Sequence, residues 1–303
     1  MQVRLLGTAA GGGSPQWNCH CAQCVEIRAG SARIKARLQS GVAISADGIH
    51  WFLLNASPDL PAQIESFPPL LPFNGHVRGT AISGILLTNA DLDHTLGLFL
   101  LREGSPLDIH ATHTVRRALN EGLALESVLR TYCGVRWHVP DTKPQPLCIA
   151  DGQPSGILYS CFTIPGKPPR YFADRANPDP GDSIGYRFLD TRTGGRLLFL
   201  PDASTLENIP LDDCDVLLLD GTFWSDDEME RAGAGKTTAT QMGHLPIGGP
   251  HGSLVRIANL PISRRIYMHI NNTNPCLMED SPERQEIVAV GVELGYDGLH
   301  LSI

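Results

Sequence analysis

The sequence predicts a mixed α/β fold for this chain of 303 residues. Short apolar runs typical of strands cluster towards both ends of the chain, and segments with helical spacing lie between them. The composition is that of a globular protein, with 42% hydrophobic and 18% charged residues. The 31 glycines and 23 prolines indicate many turns between short elements. A chain of this length buries a large core, as one large domain or as two smaller ones.

Strands are predicted wherever a short apolar run is bounded by turn residues. These are residues 2–7, 41–46, 50–55, 84–88, 108–111, 156–164, 183–190, 196–200, 215–220 and 265–271. Helical spacing of apolar residues predicts helices over 60–66, 96–102, 113–119, 121–135, 253–260 and 281–294. The last of these has Ser281 as its N-cap and Glu283 in its first turn, where an acidic side chain is favourable.

Two long segments are predicted to be loops. Residues 140–155 lack a clear period, and residues 165–182 are rich in proline, which is typical of an exposed functional loop.

Charge and hydropathy argue against two classes of partner. The net charge of -8 repels nucleic-acid backbones and acidic membrane surfaces. No apolar run reaches the roughly 18 residues of a spanning helix, so membrane insertion is not expected. The apolar part of the first seven residues is too short for a secretory signal, and we expect a cytoplasmic location.

Three of the eight cysteines, Cys19, Cys21 and Cys24, lie within one short segment, residues 18–24. Thiolates bind zinc tetrahedrally, and a Cys-x-Cys-x-x-Cys turn supplies three of the four ligands. Crowded thiols without a metal are prone to oxidation. We therefore predict a structural Zn²⁺ at this loop, with a fourth ligand from His20, from a histidine or asparagine at 269–272, or from water.

An acidic loop follows the predicted strand at 84–88. An Asp-rich turn alone is often only a solvated surface, but several other apolar strands are also followed by residues that bind metals or move protons. The residues at these strand ends are Asn89, Asp91, Asp93, His94, Asp202, Asp220, His244 and His269. Such a pattern is typical of a site built from loop tips on a rigid sheet.

Motifs along the whole chain resemble one family. They are LLGTAAGGGSPQWNCHCAQC, TNADLDHTLGL, LFLPDA, QMGHLPIGGPHGS and MHINNTNP. The chain resembles the PqqB family of pyrroloquinoline quinone (PQQ) biosynthesis proteins, which is part of the metallo-β-lactamase superfamily. The resemblance implies a single metallo-β-lactamase-like domain over residues 1–303, folded as a four-layer αββα sandwich.

The resemblance also implies a ligand set for an active-site metal. Asp93, His94, Asp202 and His269 match ligand positions of the superfamily, whereas Asn89 replaces the first histidine of its first motif. No histidine occurs at 160–172, where the superfamily places another ligand. These departures make a two-zinc hydrolytic site less favourable and leave a mononuclear site.

The resemblance implies roles for three further residues. Asp91 stands in the position of the second histidine and is expected to act at the catalytic centre, through its carboxylate oxygens. His244 falls where related hydrolases place a histidine near the reacting phosphate, and is expected to act as acid or base. In relatives with the same cysteine loop, a histidine three residues after the last metal histidine binds the structural zinc. Here that position is Asn272.

The ligand set favours iron chemistry, since two histidines with carboxylates and open positions suit non-haem Fe²⁺. The resemblance implies an Fe²⁺-dependent hydroxylase that uses molecular oxygen on the tyrosine ring of a Glu-Tyr derived PQQ precursor. Another divalent metal in place of Fe²⁺ stays an open alternative. Lys167 and Arg170 of the proline-rich loop are expected to bind the carboxylates of that precursor. A homodimer is compatible with the sequence.

Two alternatives stay open. One is a metal-dependent hydrolase of the precursor, which would use a metal-bound water. The other is a soluble carrier that assists transport of PQQ or its precursor to the periplasm.

Overall fold

The computed structural model describes residues 1–72, 77–211 and 213–303. Contacts between residues divide the chain into two compact units, each assembled from separate segments of the sequence. Unit 1 contains Met1–Leu6, Gly41–Arg196 and Gly298–Ile303, and unit 2 contains Gly7–Ser40 and Leu197–Asp297. The expectation of a single domain over 1–303 stays a prediction.

Both units mix strands with helices, as the sequence predicts. The strands are β1 (Gln2–Gly7), β2 (Gly41–Ser45), β3 (Trp51–Leu54), β4 (Ile82–Leu86), β5 (Leu107–His110), β6 (Val135–His138), β7 (Gln145–Cys148), β8 (Pro154–Thr163), β9 (Ile184–Asp190), β10 (Arg196–Leu200), β11 (Val216–Asp220), β12 (Arg264–Met268), β13 (Glu293–Leu294) and β14 (His300–Ser302). The helices are α1 (Ala22–Arg28), α2 (Leu60–Glu65), α3 (Leu92–Thr95), α4 (Gly97–Leu100), α5 (His113–Leu123), α6 (Leu125–Leu129), α7 (Glu228–Arg231), α8 (Ala239–Met242), α9 (Ser253–Ile257) and α10 (Pro282–Ala289).

Unit 1 is built on a seven-stranded mixed sheet in the order β14-β1-β2-β3-β4-β5-β6. Strands β3 to β6 pair in parallel, whereas β1 with β14 and β2 with β3 pair antiparallel. Its core is apolar and includes an edge-to-face pair, Trp51 with Phe67, with ring centroids 4.9 Å apart. Strands β7, β8 and β9 of the same unit pair antiparallel with one another.

Unit 2 contains the parallel strands β10, β11, β12 and β13. Strand β11 reads Val-Leu-Leu-Leu-Asp and is buried throughout, as expected of a strand covered on both faces. Because parallel strands end at the same edge of a sheet, the residues after β10, β11 and β12 meet there. This arrangement brings the strand ends at Asp202, Asp220 and His269 together.

Four sequence predictions need correction. The predicted helix at 121–135 is interrupted, because Ala124 adopts a left-handed conformation (φ 53°) between α5 and α6 and Gly134 turns the chain into β6. The predicted loop at 140–155 contains β7, an edge strand that tolerates Pro146. The helix predicted over 281–294 is shorter in the structure, because α10 ends at Ala289. Helix α1 was not predicted at all.

Within the described ranges, none of the helices combines the length and apolarity needed to cross a bilayer.

Candidate metal centres

The cysteine cluster lies in unit 2, where Cys21 precedes helix α1 and Cys24 lies within it. The prediction of a loop is therefore correct for Cys19 but wrong for Cys24. One ligand atom from each of the three cysteines lies within 4.8 Å of the others. Cys21 and Cys24 are three residues apart at the start of α1, a spacing that places both side chains on one face of the helix.

Asn272 lies over this cluster. Its Nδ2 is 3.1 Å from Cys19 Sγ, 3.5 Å from Cys21 Sγ and 3.3 Å from Cys24 Sγ. In a tetrahedral zinc site, bond lengths of about 2.3 Å to sulfur and 2.1 Å to oxygen separate the ligand atoms by roughly 3.6 Å. The spacing therefore fits a zinc ion. Amide oxygen and nitrogen are assigned from hydrogen bonds, and rotation of the amide would present Oδ1 as the fourth ligand.

The thiols of the cluster differ in acidity. Burial raises the pKa of the Cys21 thiol to about 11. Burial also acts to raise the pKa of Cys19, but hydrogen bonds from Cys21, Cys24 and Asn272 outweigh it and the pKa of Cys19 is lowered. A buried thiol with a raised pKa binds a metal only by losing its proton, so zinc loading here releases protons.

The second cluster of unit 2 contains Asp202, His244 and His269, whose ligand atoms lie within 4.8 Å of one another. Asp202 Oδ1 is 3.8 Å from His269 Nε2 and 4.0 Å from His244 Nδ1. The two imidazoles stack with their centroids 5.7 Å apart. Carboxylate oxygen and imidazole nitrogen at this spacing can share one divalent metal.

Thr222 sets the tautomer of His269. Its hydroxyl lies 2.6 Å from Asp220 Oδ1, a charged acceptor, and 2.8 Å from His269 Nδ1. Since the hydroxyl proton goes preferentially to the carboxylate, the oxygen accepts a hydrogen bond from Nδ1–H. The proton then resides on Nδ1, and Nε2 is the nitrogen that can bind a metal.

Asp220 also holds His244. Its Oδ2 lies 2.7 Å from His244 Nδ1 and accepts a further bond from the Ala203 backbone N–H at 2.8 Å. Burial acts to lower the pKa of His244, but the charges of Asp220 and Asp202 and the hydrogen bond with Asp220 together outweigh it, so the net pKa is raised. A histidine paired with a buried carboxylate is suited to proton transfer.

The acidic loop lies in unit 1, where α3 begins directly after Asp91. Asn89 Oδ1 is 2.9 Å from His94 Nδ1, and His94 Nε2 is 3.9 Å from Asp93 Oδ2. Asn89 therefore orients the imidazole of His94, a role that its alignment with a ligand histidine did not predict. Asp91 is exposed, and its backbone N–H donates to Asn89 Oδ1 at 3.0 Å.

The proline-rich loop of unit 1 is tied to the acidic loop. Tyr171 donates a hydrogen bond from its hydroxyl to the Ala90 carbonyl at 2.8 Å, and its ring packs on Gly122 of α5. Lys167 and Arg170 lie just before Tyr171 and are exposed. Both side chains are thus carried by a segment with a fixed attachment to the loop of Asp93.

Sequence reasoning placed Asp220 at a strand end without giving it a role, and it did not select Thr222. The available signal was a buried apolar strand ending in Asp-Gly-Thr. That signal marks a strand end, but it does not reveal which histidine each oxygen will contact.

Comparison with known proteins identifies the family to which this chain belongs. The sequence model of the beta-lactamase superfamily domain matches residues 50–270. Coenzyme PQQ synthesis protein B of Pseudomonas fluorescens (strain SBW25) is 43% identical over 312 residues, and its counterpart in Pseudomonas savastanoi pv. phaseolicola (strain 1448A / Race 6) is 42% identical over 310. Both alignments cover 100% of each chain.

A solved structure, Zn²⁺-bound PqqB from Methylobacterium extorquens, has a TM-score of 0.90 and 36% identity to this chain, with 100% of each chain covered. The predicted metallo-β-lactamase fold is confirmed by this similarity. The chain therefore belongs to the PqqB family of coenzyme PQQ synthesis proteins, within the beta-lactamase superfamily.

Proposed function

We propose that this chain acts in PQQ biosynthesis as an Fe²⁺- and O₂-dependent hydroxylase of the tyrosine ring of a Glu-Tyr derived precursor. The observation that carries the proposal is the mixed donor set at the strand ends of unit 2. Asp202 and His269 offer oxygen and nitrogen at 3.8 Å, and Thr222 directs Nε2 of His269 towards a metal. Such a set suits Fe²⁺, which when bound supplies the activation of oxygen.

The proposal gives this chain's other polar residues distinct tasks. His244, held by Asp220, moves the proton of the tyrosine hydroxyl at the imidazole nitrogen that does not face Asp220. Lys167 and Arg170 bind the carboxylates of the amino-acid precursor through charge-assisted hydrogen bonds. Asp91 acts at the catalytic centre through its exposed carboxylate. Asp93 and His94 are proposed as further metal ligands on the strength of their match to the superfamily motif.

We also propose a structural Zn²⁺ at Cys19, Cys21, Cys24 and Asn272. The convergent sulfurs support it, as does the presence of Zn²⁺ in the Methylobacterium extorquens relative. A metal-dependent hydrolase of the precursor is the second candidate function. It is favoured if Zn²⁺, present in that relative, binds at the Asp202 and His269 centre, since zinc there would activate water.

The test is reconstitution with Fe²⁺ under anaerobic conditions, followed by a synthetic Glu-Tyr diamino acid, a reductant and ¹⁸O₂. Mass spectrometry should show a product heavier by one or two oxygen atoms that carries the label, and no such product with Zn²⁺. Product formation with Zn²⁺ and without oxygen uptake would instead establish the hydrolase. Tight binding of precursor or PQQ without turnover would favour the carrier.

Two variants and a matched control assign the site. His269→Ala and Asp202→Ala should abolish hydroxylation, because each removes a proposed ligand, and their melting temperatures should stay close to that of the wild type. His251→Ala replaces an exposed histidine of the same unit and should keep wild-type turnover. Wild-type turnover by His269→Ala would refute the assignment.

A further inference from the structure

The two candidate metal centres of unit 2 share one short segment of chain. His269 belongs to one centre and Asn272 to the other, and only Ile270 and Asn271 separate them. We name residues 270–274 the connecting turn. All five of its residues are buried, and four of them are polar. Consecutive buried polar side chains are stable only if each finds a hydrogen-bond partner.

On the side of His269, the backbone is held in an unfavourable conformation. His269 has φ 57°, a left-handed backbone conformation that is unfavourable for a residue other than glycine. The main chain of Ile270 is fixed by Thr8 and Ala10, at 2.9 Å each. Asn274 Nδ2 donates to the carbonyls of Gly221 and Thr222 at 3.1 and 3.2 Å. The hydrogen bonds of the connecting turn therefore keep His269 in this unfavourable backbone conformation.

On the other side, the turn contacts the cysteine loop at three points. The Asn272 amide faces all three sulfurs, and the Asn272 carbonyl lies 3.5 Å from Cys21 Sγ. Gln23, in α1, donates from Nε2 to the Thr273 carbonyl at 3.1 Å. The cysteine loop therefore contacts residues 272 and 273 directly.

Thr273 joins these contacts to a third element. Its hydroxyl donates to the buried Glu228 Oε1 of α7 at 2.6 Å and accepts from Asn271 Nδ2 at 2.6 Å. Glu228 Oε2 in turn accepts from the Trp224 backbone N–H at 2.6 Å. The hydroxyl of Thr273 is therefore the link that fixes the centre of the turn, although it touches neither candidate metal position.

We propose that the connecting turn couples the two centres, so that zinc at the cysteine loop strengthens metal binding at His269, and that Thr273 is the positioning residue for this coupling. The inference rests on the two metal sites of the proposed function, but it concerns affinities and not the reaction. Binding linkage is reciprocal, so a metal at His269 must strengthen zinc binding by the same factor.

The first experiment titrates the full-length protein with Co²⁺, with and without one equivalent of Zn²⁺ in the cysteine loop. Thiolate-bound Co²⁺ has a charge-transfer band that Co²⁺ at oxygen and nitrogen ligands lacks, so the two centres are read separately. Zinc loading should tighten Co²⁺ binding at the oxygen and nitrogen centre about tenfold, within the usual range of coupling. Equal dissociation constants with and without zinc would overturn the inference.

The second experiment compares Thr273→Val, which keeps the shape and removes the hydroxyl, with Thr273→Ser, which keeps the hydroxyl. In the valine variant, zinc loading should no longer change the dissociation constant of Co²⁺, and the serine variant should behave like the wild type. Retained coupling in Thr273→Val would refute the role of Thr273. Should the valine variant fail to fold, the wild-type titration still decides the coupling.

These readouts do not depend on turnover. Coupling without any hydroxylation would leave the inference standing and refute the proposed function. Hydroxylation without coupling would support the proposed function and refute the inference.

Discussion

Replacing Gly97 by alanine is expected to destabilise the protein by an amount that the local geometry defines. A Cβ at this position would lie 2.4 Å from the Ser57 carbonyl oxygen and 2.8 Å from the Ala56 carbonyl oxygen. Both neighbours are backbone atoms and cannot rotate away. Two hydrogen bonds also join these segments, from Gly97 N–H to Ala56 O at 2.9 Å and from Ala56 N–H to His94 O at 2.7 Å.

The magnitude follows from the displacement that the new atom requires. An ordinary contact needs about 1 Å more room. Making that room strains or breaks the two backbone hydrogen bonds, each of which stabilises the fold by about 0.5–1.5 kcal/mol. Overpacking in a buried site adds about 1–3 kcal/mol. We therefore expect Gly97→Ala to lower the free energy of unfolding by about 2–6 kcal/mol. Because His94 accepts one of these bonds, its loop should shift as well.

The matched control is Gly79→Ala, at an exposed glycine with no atom within 4 Å of the added Cβ. It should change stability by less than about 1 kcal/mol, and in the stabilising direction if the unfolded chain loses entropy. Urea unfolding followed by circular dichroism measures both variants. A free energy for Gly97→Ala within 0.5 kcal/mol of the control, about the error of such comparisons, would refute the reasoning.

Three further predictions address the two candidate metal centres and the core. Asp220→Asn should weaken metal binding at His269 by about 10–100-fold, because it removes the charged acceptor that orients the Thr222 hydroxyl against His269. Competition with a chelator measures this affinity, and an unchanged affinity would contradict the prediction. Cys21→Ala should lower both the zinc content by elemental analysis and the melting temperature, and full zinc with an unchanged melting temperature would exclude a structural zinc there. Burial lowers the pKa of His110 to about 3 in the folded protein, whereas in the unfolded chain this pKa is about 6.5. Between pH 3 and pH 6.5 the unfolded chain therefore binds one more proton at His110 than the folded protein does. Stability should therefore fall as pH decreases from 6.5 towards 3, by up to about 1.4 kcal/mol per pH unit, and His110→Phe should remove this part of the slope in urea unfolding at pH 7 and pH 5.

Strand ends were the most predictable part of the site. An apolar run that stops at an aspartate or histidine indicates a buried strand that delivers a polar group, and Asp202 and His269 follow such runs. The contacts between strands were not predictable, because they depend on which strands become neighbours. The parallel pairing of β11 with β12 places Thr222 beside His269, 47 positions away in the sequence.

Helix α1 escaped prediction for a local reason. Its N-cap is Cys21, whose side chain makes no capping hydrogen bond, and its first turn contains no acidic residue. The usual markers of a helix start are therefore missing. Packing of Cys24 and contact of Gln23 with the connecting turn stabilise the helix instead, and such tertiary contacts cannot be read from a seven-residue segment.

The three candidate-site histidines differ in the oxygen that faces Nδ1. His94 faces the neutral amide of Asn89, His269 faces the neutral hydroxyl of Thr222, and His244 faces the buried carboxylate of Asp220. A neutral acceptor fixes the tautomer and leaves Nε2 with the lone pair that a metal requires. A carboxylate additionally favours the charged imidazolium and so raises the pKa, as it does for His244. The partners at Nδ1 thus favour the ligand roles proposed for His94 and His269 and the proton-transfer role proposed for His244. Asn89 contacts His94 at the position where a motif comparison records only a lost ligand.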